Sequence, residues 1–303
     1  MEQLDVITRQ KIREVLGLLG PYKGTATMKR IFEEVPRAEL EHQLRCYRRQ
    51  VCQGKRIAVT ALRWLEPGKV WAMDFCAPPK AIDNRYRYIL VVRDLGSGKT
   101  LLSLPVVDRC TVVVCYALRA LFKQYGPPVV LKSDNAKEFK SEEVRKLLAA
   151  EKVQPLLSPK YWPRYNGAVE AGIGTLKTYC HHEAARNDRP GEWNCDDVEA
   201  ARLRANELAR PFGKDGPSPQ ARFAQRMVPT KTERTTFEEC VRSNRRSEME
   251  QAEIDKGGPL NLDDRAAVER QAITLALVAC GLLMVRRRRI SPPFRSQIWS
   301  NNT

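Results

Sequence analysis

The sequence has few of the residues that build metal or disulfide frameworks. Histidine occurs only as His42, His181 and His182, and no C-x-x-C pair is present. A structural zinc site is therefore not expected, because such sites use closely spaced cysteines and histidines. The nine cysteines are an odd number without regular spacing, and the first residues do not resemble a signal peptide. This pattern favours reduced thiols and a cytoplasmic protein.

Long hydrophobic runs are also missing. The longest, Ala272 to Val285, contains Gly281 and is too short to span a bilayer comfortably. We interpret it as a buried helix and expect no membrane partner. With 43% hydrophobic and 29% charged residues, the composition is that of a globular protein. A length of 303 residues allows one to three domains with a buried core.

Acidic residues are outnumbered by basic ones. The chain has 36 Asp and Glu against 52 Lys and Arg, which gives a formal net charge of +16. The excess is spread along the chain, so no single basic tail accounts for it. A polyanion is the partner that this balance favours, and nucleic acid is the first candidate. A basic protein without such a partner is the alternative.

Residues 1–60 show the apolar spacing of three short helices. The third carries Arg45, Arg48 and Arg49 on its polar faces. Three helices of which the last is basic are typical of a helix-turn-helix DNA-binding domain, whose third helix lies in the major groove. A small helical bundle with solvated arginines is the alternative. Residues 61–68 are interpreted as a linker.

Three acids in the middle of the chain lie in different local settings. Asp74 interrupts the apolar, strand-like run Val70–Phe75, Asp134 follows another apolar strand, and Glu170 begins a segment of helical periodicity. A carboxylate within a strand costs several kcal/mol unless it is paired or binds a metal. Brought together, three carboxylates can hold two hard divalent cations, which promote phosphoryl transfer. For Asp74, a structural pair with an arginine is the alternative.

Polar residues accompany two of these acids. Asn135 and Glu138 follow Asp134 closely, and we expect them to orient its carboxylate without being ligands themselves. Asn166 stands where a residue is needed to cap the helix that carries Glu170. These three residues are therefore candidates for supporting the site rather than for direct chemistry.

Basic residues near the same acids are candidates for DNA contact. Lys177 falls on the same helix face as Glu170, two turns further on. Lys160 and Arg164 lie in the loop 158–164, where they alternate with aromatic residues. Rings that stack on bases and cations that meet phosphates suit the binding of a DNA strand end. Solvated lysines and an ordinary packed loop are the alternatives.

These acids and their contexts resemble the DDE motif of transposases and retroviral-type integrases. The resemblance is carried by Asp74, by Asp134 within Ser-Asp-Asn, and by Glu170 after Tyr-Asn-Gly, with thirty-five residues between the last two acids. It covers about residues 65–212 and is strongest to bacterial insertion-sequence transposases. Family members usually have glycine where Ala136 stands.

The resemblance implies an α/β fold in which residues 69–210 form an RNase H-like, mixed five-stranded sheet flanked by helices. An all-α helix-turn-helix domain would precede this core, and residues 211–303 would be a basic, partly helical C-terminal region. Asp74, Asp134 and Glu170 would be the catalytic residues and would ligate two Mg²⁺ or Mn²⁺ ions. Lys177 would contact DNA.

The function that follows is that of a transposase or integrase, which cleaves DNA and joins the freed 3′-hydroxyl to target DNA. The expected partners are double-stranded transposon ends and target DNA, bound by a homo-oligomer in a bacterial cytoplasm, at the nucleoid. A non-catalytic DNA-binding protein, either a regulator or an inactive transposase relic, is the alternative. A nuclease for RNA–DNA hybrids is a third possibility, which the extra helix-turn-helix disfavours.

Overall fold

The structure is a computed structural model that describes residues 6–19, 24–52, 57–159 and 167–290. The chain divides into two compact units, residues 62–284 and residues 1–61 together with 285–303. The larger unit contains the candidate acids. Within the described ranges, no helix is both long and apolar enough to cross a membrane.

The secondary structure consists of helices and strands with the following bounds. The helices are α1 (Val6–Leu19), α2 (Thr25–Ile31), α3 (Arg37–Cys52), α4 (Thr111–Tyr125), α5 (Glu142–Ala150), α6 (Gly167–Arg186), α7 (Cys195–Leu208), α8 (Pro219–Ala224), α9 (Lys231–Lys256) and α10 (Leu262–Ala279). The strands are β1 (Ile57–Trp64), β2 (Val70–Cys76), β3 (Tyr88–Asp94), β4 (Thr100–Val106), β5 (Val130–Ser133), β6 (Gln154–Leu157) and β7 (Leu283–Ile290).

Helices α1, α2 and α3 occur where the sequence predicted three helices. Their apolar faces meet in a small core that consists of Ile12, Leu16, Met28, Val35, Leu40 and Leu44. On α3, Arg45 and Arg49 are exposed and Arg48 is half-buried. Docking of α3 in a DNA groove stays a prediction, because the packing of three helices does not by itself identify a DNA-binding domain.

The larger unit is built on a five-stranded sheet with the order β4-β3-β2-β5-β6. Neighbours among β2, β3 and β4 are antiparallel, whereas β5 and β6 run parallel to β2. The sheet is therefore mixed, and helices cover both of its faces. This order and these directions confirm the RNase H-like α/β fold that the resemblance implied.

Alternation along β2 sends successive side chains to opposite faces of the sheet. Trp71 and Met73 pack on the face that α4 and α5 cover. Val70 and Ala72 pack on the face that α6, α7, α9 and α10 cover. Because Trp71 is only 1% exposed, its truncation to alanine would cost about 3–5 kcal/mol. The second face is the one on which the candidate site is built.

The larger unit continues past residue 210, where the sequence predicted a boundary. Helix α9 begins at a capping box formed by Thr230 and Glu233 and ends at Gly257, which has a positive φ of 68°. Phe237 of this helix and Ile273 of α10 are buried in the same core cluster as β2. These buried contacts, made by a helix of mostly polar sequence, keep the C-terminal helices within one unit.

The apolar run from Ala272 to Val285 is not a single helix, so that prediction was wrong at its end. Helix α10 stops at Ala279, Gly281 adopts a positive φ of 69°, and β7 begins at Leu283. The sequence is apolar on both sides of this turn because the residues there are buried, so the run looked like one continuous helix. Strand β7 pairs with β1 in a separate two-stranded sheet.

Asn206 of α7 completes one end of the edge strand β4. Its side chain accepts a hydrogen bond from the Thr100 N–H at 2.8 Å and donates one to the Thr100 carbonyl at 2.9 Å. Asn206 is itself buried. The side-chain amide thus occupies the place that the peptide group of a further strand would take.

Candidate active site

The parallel strands β2 and β5 place two of the candidate acids side by side. Ala72 is the register partner of Lys132, and the same offset sets Asp74 beside Asp134 just beyond the pairing. Because side chains alternate along a strand, all four lie on the same face of the sheet. Helix α6 covers this face, so the third acid comes from the helix packed above the other two.

The three acids influence one another electrostatically. Burial raises the pKa of the Asp74 carboxyl to about 6, and the negative charges of Asp134 and Glu170 also raise it. A hydrogen bond from the Phe75 N–H and the charge of Lys132 act in the opposite direction. Residues that are 60 and 96 positions from Asp74 in sequence are therefore its close electrostatic neighbours.

Backbone amides orient the two aspartates. The Phe75 N–H donates to Asp74 Oδ1 at 2.7 Å, and the Ala136 N–H donates to Asp134 Oδ1 at 2.9 Å. Ala136 replaces the glycine that is usual in the resembled family, and its φ is not positive. An alanine therefore fits this turn without strain and still supplies the N–H that holds Asp134.

Lys132 is a member of this cluster that the sequence did not identify. Its side chain is buried, with 2% exposure, and burial lowers the pKa of its ammonium to about 8. The carboxylates of Glu170 and Asp74 act in the opposite direction and favour the charged form. The available signal was its position two residues before Asp134 in a strand, which places both side chains on one face.

The donor set fits a hard divalent cation in its chemistry, because it consists of carboxylate oxygens without histidine or thiolate. In the part of the chain that the structure describes, no group of three His, Cys, Asp or Glu residues is arranged to hold a metal ion. The electrostatic influence among the acids shows proximity, whereas a shared ion requires direct convergence. The three acids are therefore electrostatic neighbours whose carboxylates do not meet at one point, and the charge of Lys132 acts on two of them.

Other predicted residues lie around the cluster. The Asn135 side-chain amide donates to the Ser158 carbonyl at 2.6 Å and joins the ends of β5 and β6. Glu138 is 7% exposed. The charge of Lys177 lowers the pKa of the Cys76 thiol, although burial, which is the larger effect, raises that pKa to about 11. Lys177 is thus close to the end of β2 that carries Asp74.

Three predicted residues, Lys160, Arg164 and Asn166, lie outside the described residues. Their proposed roles in DNA contact and helix capping stay predictions. The α3 arginines belong to the smaller unit, where the exposed Arg45 and Arg49 can reach a ligand.

The central part of the chain is similar to known families and proteins. Residues 65–163 match the family model for the integrase core domain. The Gag-Pol polyprotein of avian reticuloendotheliosis virus is 30% identical over 116 residues, which is 38% of this chain and 10% of the polyprotein. The intracisternal A-particle Pol-related polyprotein of mouse intracisternal A-particle MIA14 is 29% identical over 117 residues, which is 39% of this chain and 13% of that protein. The chain thus spans about a tenth of the length of these curated relatives.

Solved structures of viral integrases are also similar. The simian T-cell lymphotropic virus intasome in complex with the PP2A regulatory subunit B56 gamma gives a TM-score of 0.48 at 16% identity, covering 72% of this chain and 76% of that one. The HTLV-2 integrase catalytic core domain in complex with magnesium gives 0.43 at 18% identity, covering 53% of this chain and 99% of that one. The catalytic core domain of BIV integrase gives 0.42 at 19% identity, with 56% and 99% covered.

Proposed function

We propose, from the retroviral-type integrase core that residues 65–163 contribute, that this protein cleaves DNA strands and transfers them by metal-dependent DDE chemistry. The family match supports an integrase or transposase type of function. The single observation that carries the catalytic proposal is the register of β2 and β5, which sets Asp74 beside Asp134 on the sheet face that α6, the helix of Glu170, covers. Three carboxylates placed in this way are suited to divalent cations and phosphoryl transfer.

The proposed roles follow from the positions of the side chains. Asp74, Asp134 and Glu170 would hold two Mg²⁺ or Mn²⁺ ions. Such ions, when bound, activate an attacking oxygen and stabilise a leaving one. The backbone N–H groups of Phe75 and Ala136 fix one oxygen of each aspartate, which leaves the other oxygen available to a ligand. Pre-orientation of this kind reduces the cost of assembling the site.

Double-stranded DNA is the proposed partner. The net charge of +16 favours a polyanion, and Lys177 lies near the end of β2, beside the acids. We propose that Lys177 contacts a backbone phosphate close to the reacting one, and that Arg45, Arg48 and Arg49 contact DNA through α3. Joining element ends to target DNA would be carried out by a homo-oligomer. An origin in a bacterial insertion sequence stays a prediction, which inverted repeats flanking the gene would support.

The test compares two acid-to-amide variants in a strand-transfer assay. Duplex DNA with a recessed 3′-hydroxyl is incubated with supercoiled plasmid, the full chain and Mg²⁺ or Mn²⁺. Asp134→Asn should reduce joining by about 10³-fold or more, because several kcal/mol of transition-state stabilisation depend on the ligand set. Glu250→Gln removes the same charge from the exposed surface of α9 and should retain activity. Full activity of Asp134→Asn would contradict the assignment.

A non-catalytic DNA-binding protein is the second candidate. The buried Lys132 favours this candidate, because its charge compensates the acids without a metal. The described residues also include no group of three His, Cys, Asp or Glu side chains arranged to hold a metal ion. This candidate predicts the same duplex affinity with Mg²⁺ and with EDTA, and no strand cleavage with either Mg²⁺ or Mn²⁺. Metal-dependent cleavage by the wild-type chain that Asp134→Asn lacks would exclude it.

A further inference from the structure

A second cation, the half-buried Arg93 of β3, lies on the same face of the sheet. Arg93 is the register partner of Ala72 on β2, so its side chain also points toward α6. The guanidinium packs directly against Gly172 of α6, where an added Cβ would lie 2.0 Å from Arg93 Nη1. A Cβ on Gly98, in the turn that follows, would lie 3.1 Å from Nη2. Two glycines therefore make room for this guanidinium.

Arg93 is half-buried and lacks a direct neutralising partner among the described residues. In the described part of the chain its side chain makes no hydrogen bond and no ion pair. Burial lowers the pKa of the guanidinium, and the neighbouring Asp94 raises it. The Asp94 carboxylate instead accepts hydrogen bonds from the Gly68 N–H at 2.8 Å, the Ser97 N–H at 2.8 Å and the Ser97 hydroxyl at 2.5 Å. Its oxygens are thus engaged elsewhere.

Arg93 lines a cavity of about 250 Å³ that is bounded by the β3–β4 turn, α6, α7 and α8. None of the described residues that line it is acidic. Arg210 is a second lining residue, and only its Nη1 is used, in bonds to the carbonyls of Glu207 and Ala209. The polar side chains of Thr175 and Asn206 bond to the backbone of α6 and β4. Guanidinium nitrogens are therefore the donors that remain for a ligand.

We propose that this cavity, the Arg93 pocket, binds a phosphate group. A guanidinium presents its N–H groups in a planar fork that matches two phosphate oxygens, and arginine is preferred where such recognition is needed. A half-buried guanidinium that no carboxylate engages keeps its N–H groups for an anionic ligand, and charge-assisted hydrogen bonds of that kind are among the stronger ones. Glu170 and Gly172 point to different sides of α6, so this pocket is separate from the acidic cluster.

Two sources can supply a phosphate group, namely the backbone of DNA and inorganic phosphate. The DNA source rests on the proposed function, whereas binding of phosphate itself does not. Both can be tested without divalent metal, so a failure of strand transfer would leave the outcome for the pocket unaffected.

The first experiment measures thermal unfolding of the full chain in EDTA, in sodium phosphate and in sodium chloride of matched ionic strength. We expect phosphate to raise the wild-type Tm by about 2–4 °C more than chloride, as a ligand selective for the folded state does. Arg93→Met should lose this difference. Arg265→Met, which removes an exposed arginine from α10, should retain it. Equal Tm values in the two salts, or an undiminished difference in Arg93→Met, would overturn the proposal.

Arg210→Met is a second variant for the case in which Arg93→Met does not fold. Arg210 is exposed and lines the pocket, so its replacement should reduce the phosphate difference by about half without unfolding the chain. An unchanged difference in this variant, with Arg93→Met unfolded, would also overturn the proposal.

The second experiment measures the affinity for a short fluorescent duplex in EDTA by anisotropy. If the ligand is a DNA phosphate, Arg93→Met should weaken binding about ten-fold more than Arg265→Met, and inorganic phosphate should compete. If the ligand is free phosphate, both variants should bind DNA alike while only Arg93→Met loses the Tm difference. Either result supports a phosphate site. If Arg93→Met keeps both the wild-type Tm difference and the wild-type DNA affinity, the site is excluded.

Discussion

Lys132 and Arg93 flank Ala72 on the two neighbouring strands, and their charges are compensated in different ways. Lys132, on β5, lies beside the carboxylates of Glu170 and Asp74. Arg93, on β3, meets Gly172 and a cavity whose described lining residues include no acid. The two cations occupy equivalent rows of the same sheet. The difference therefore lies in what α6 presents on each of its sides.

This comparison indicates how the two sides of one helix can favour ligands of opposite charge. The side of α6 that carries Glu170 contributes to an excess of carboxylates, which suits cations. The other side has no side chain at Gly172 and leaves room there for a guanidinium, which suits anions. A substrate with phosphates on both sides of a reacting bond would find both features within one face of the sheet.

The largest effect that tests this comparison is expected for Lys132→Met. It removes the cation from among the acids and leaves their charges uncompensated, so the free energy of unfolding in EDTA should fall by about 3–5 kcal/mol. Urea unfolding at pH 7 measures this loss. Arg93→Met, the matched change on the other side, should alter the free energy of unfolding by less than about 1 kcal/mol, because no direct partner is lost. Equal losses in both variants would mean that the two cations are compensated alike.

A smaller effect is expected from Asp74→Asn, and it should depend on pH. The pKa of Asp74 is about 6 in the folded protein and 3.8 ordinarily, so the folded state retains a proton that the unfolded state releases. The free energy of unfolding should therefore fall as pH rises from about 4 to 6. Asp74→Asn lacks this contribution. Its stability relative to wild type should grow across that window by up to about 3 kcal/mol.

The measurement is urea unfolding of both proteins in EDTA at pH 4, 5, 6 and 7. Asp94 also has a pKa raised to about 6, mainly by burial, and it is present in both proteins, so its contribution cancels in the difference. A difference that stays constant from pH 4 to 7 would show that the pKa of Asp74 is not raised in the folded protein.

The smallest effect is expected for Gly172→Ala. The new methyl group would lie 2.0 Å from Arg93 Nη1, so the guanidinium must move, at a cost of about 1–2 kcal/mol. In an Arg93→Ala background the same change should cost less than about 0.5 kcal/mol, because the obstructing side chain is gone. A double-mutant cycle from urea unfolding gives the coupling between the two positions. A coupling of zero would place the Arg93 side chain away from α6.

Local patterns were sufficient for much of the fold. Helices α1, α2 and α3 lie where apolar spacing in residues 1–60 predicted three helices, and the helical periodicity at Glu170 belongs to α6. The predicted strands around Asp74 and before Asp134 are β2 and β5. These elements have strong signals because their core residues recur at the period of the structure and their ends are marked by turn residues.

Tertiary partners decided what local patterns could not. The run from Ala272 to Val285 was predicted as one helix, since burial on both sides of the Gly281 turn hides the change of structure. The compensation of Lys132 and the isolation of Arg93 depend on which residues of α6 face them, and those residues are about 40 to 80 positions away in sequence. Residues adjacent to Lys132 or Arg93 in the sequence do not indicate such long-range contacts.

The side chain of Asn206 has a consequence for how copies of this chain can associate. A sheet normally grows at a strand whose peptide groups are still unpaired. At Thr100 those groups are already satisfied by an amide from α7, so another polypeptide cannot add there in register. A strand from another copy that paired with β4 would have to begin nearer Val106. It would therefore be shifted along β4 and would not span its whole length.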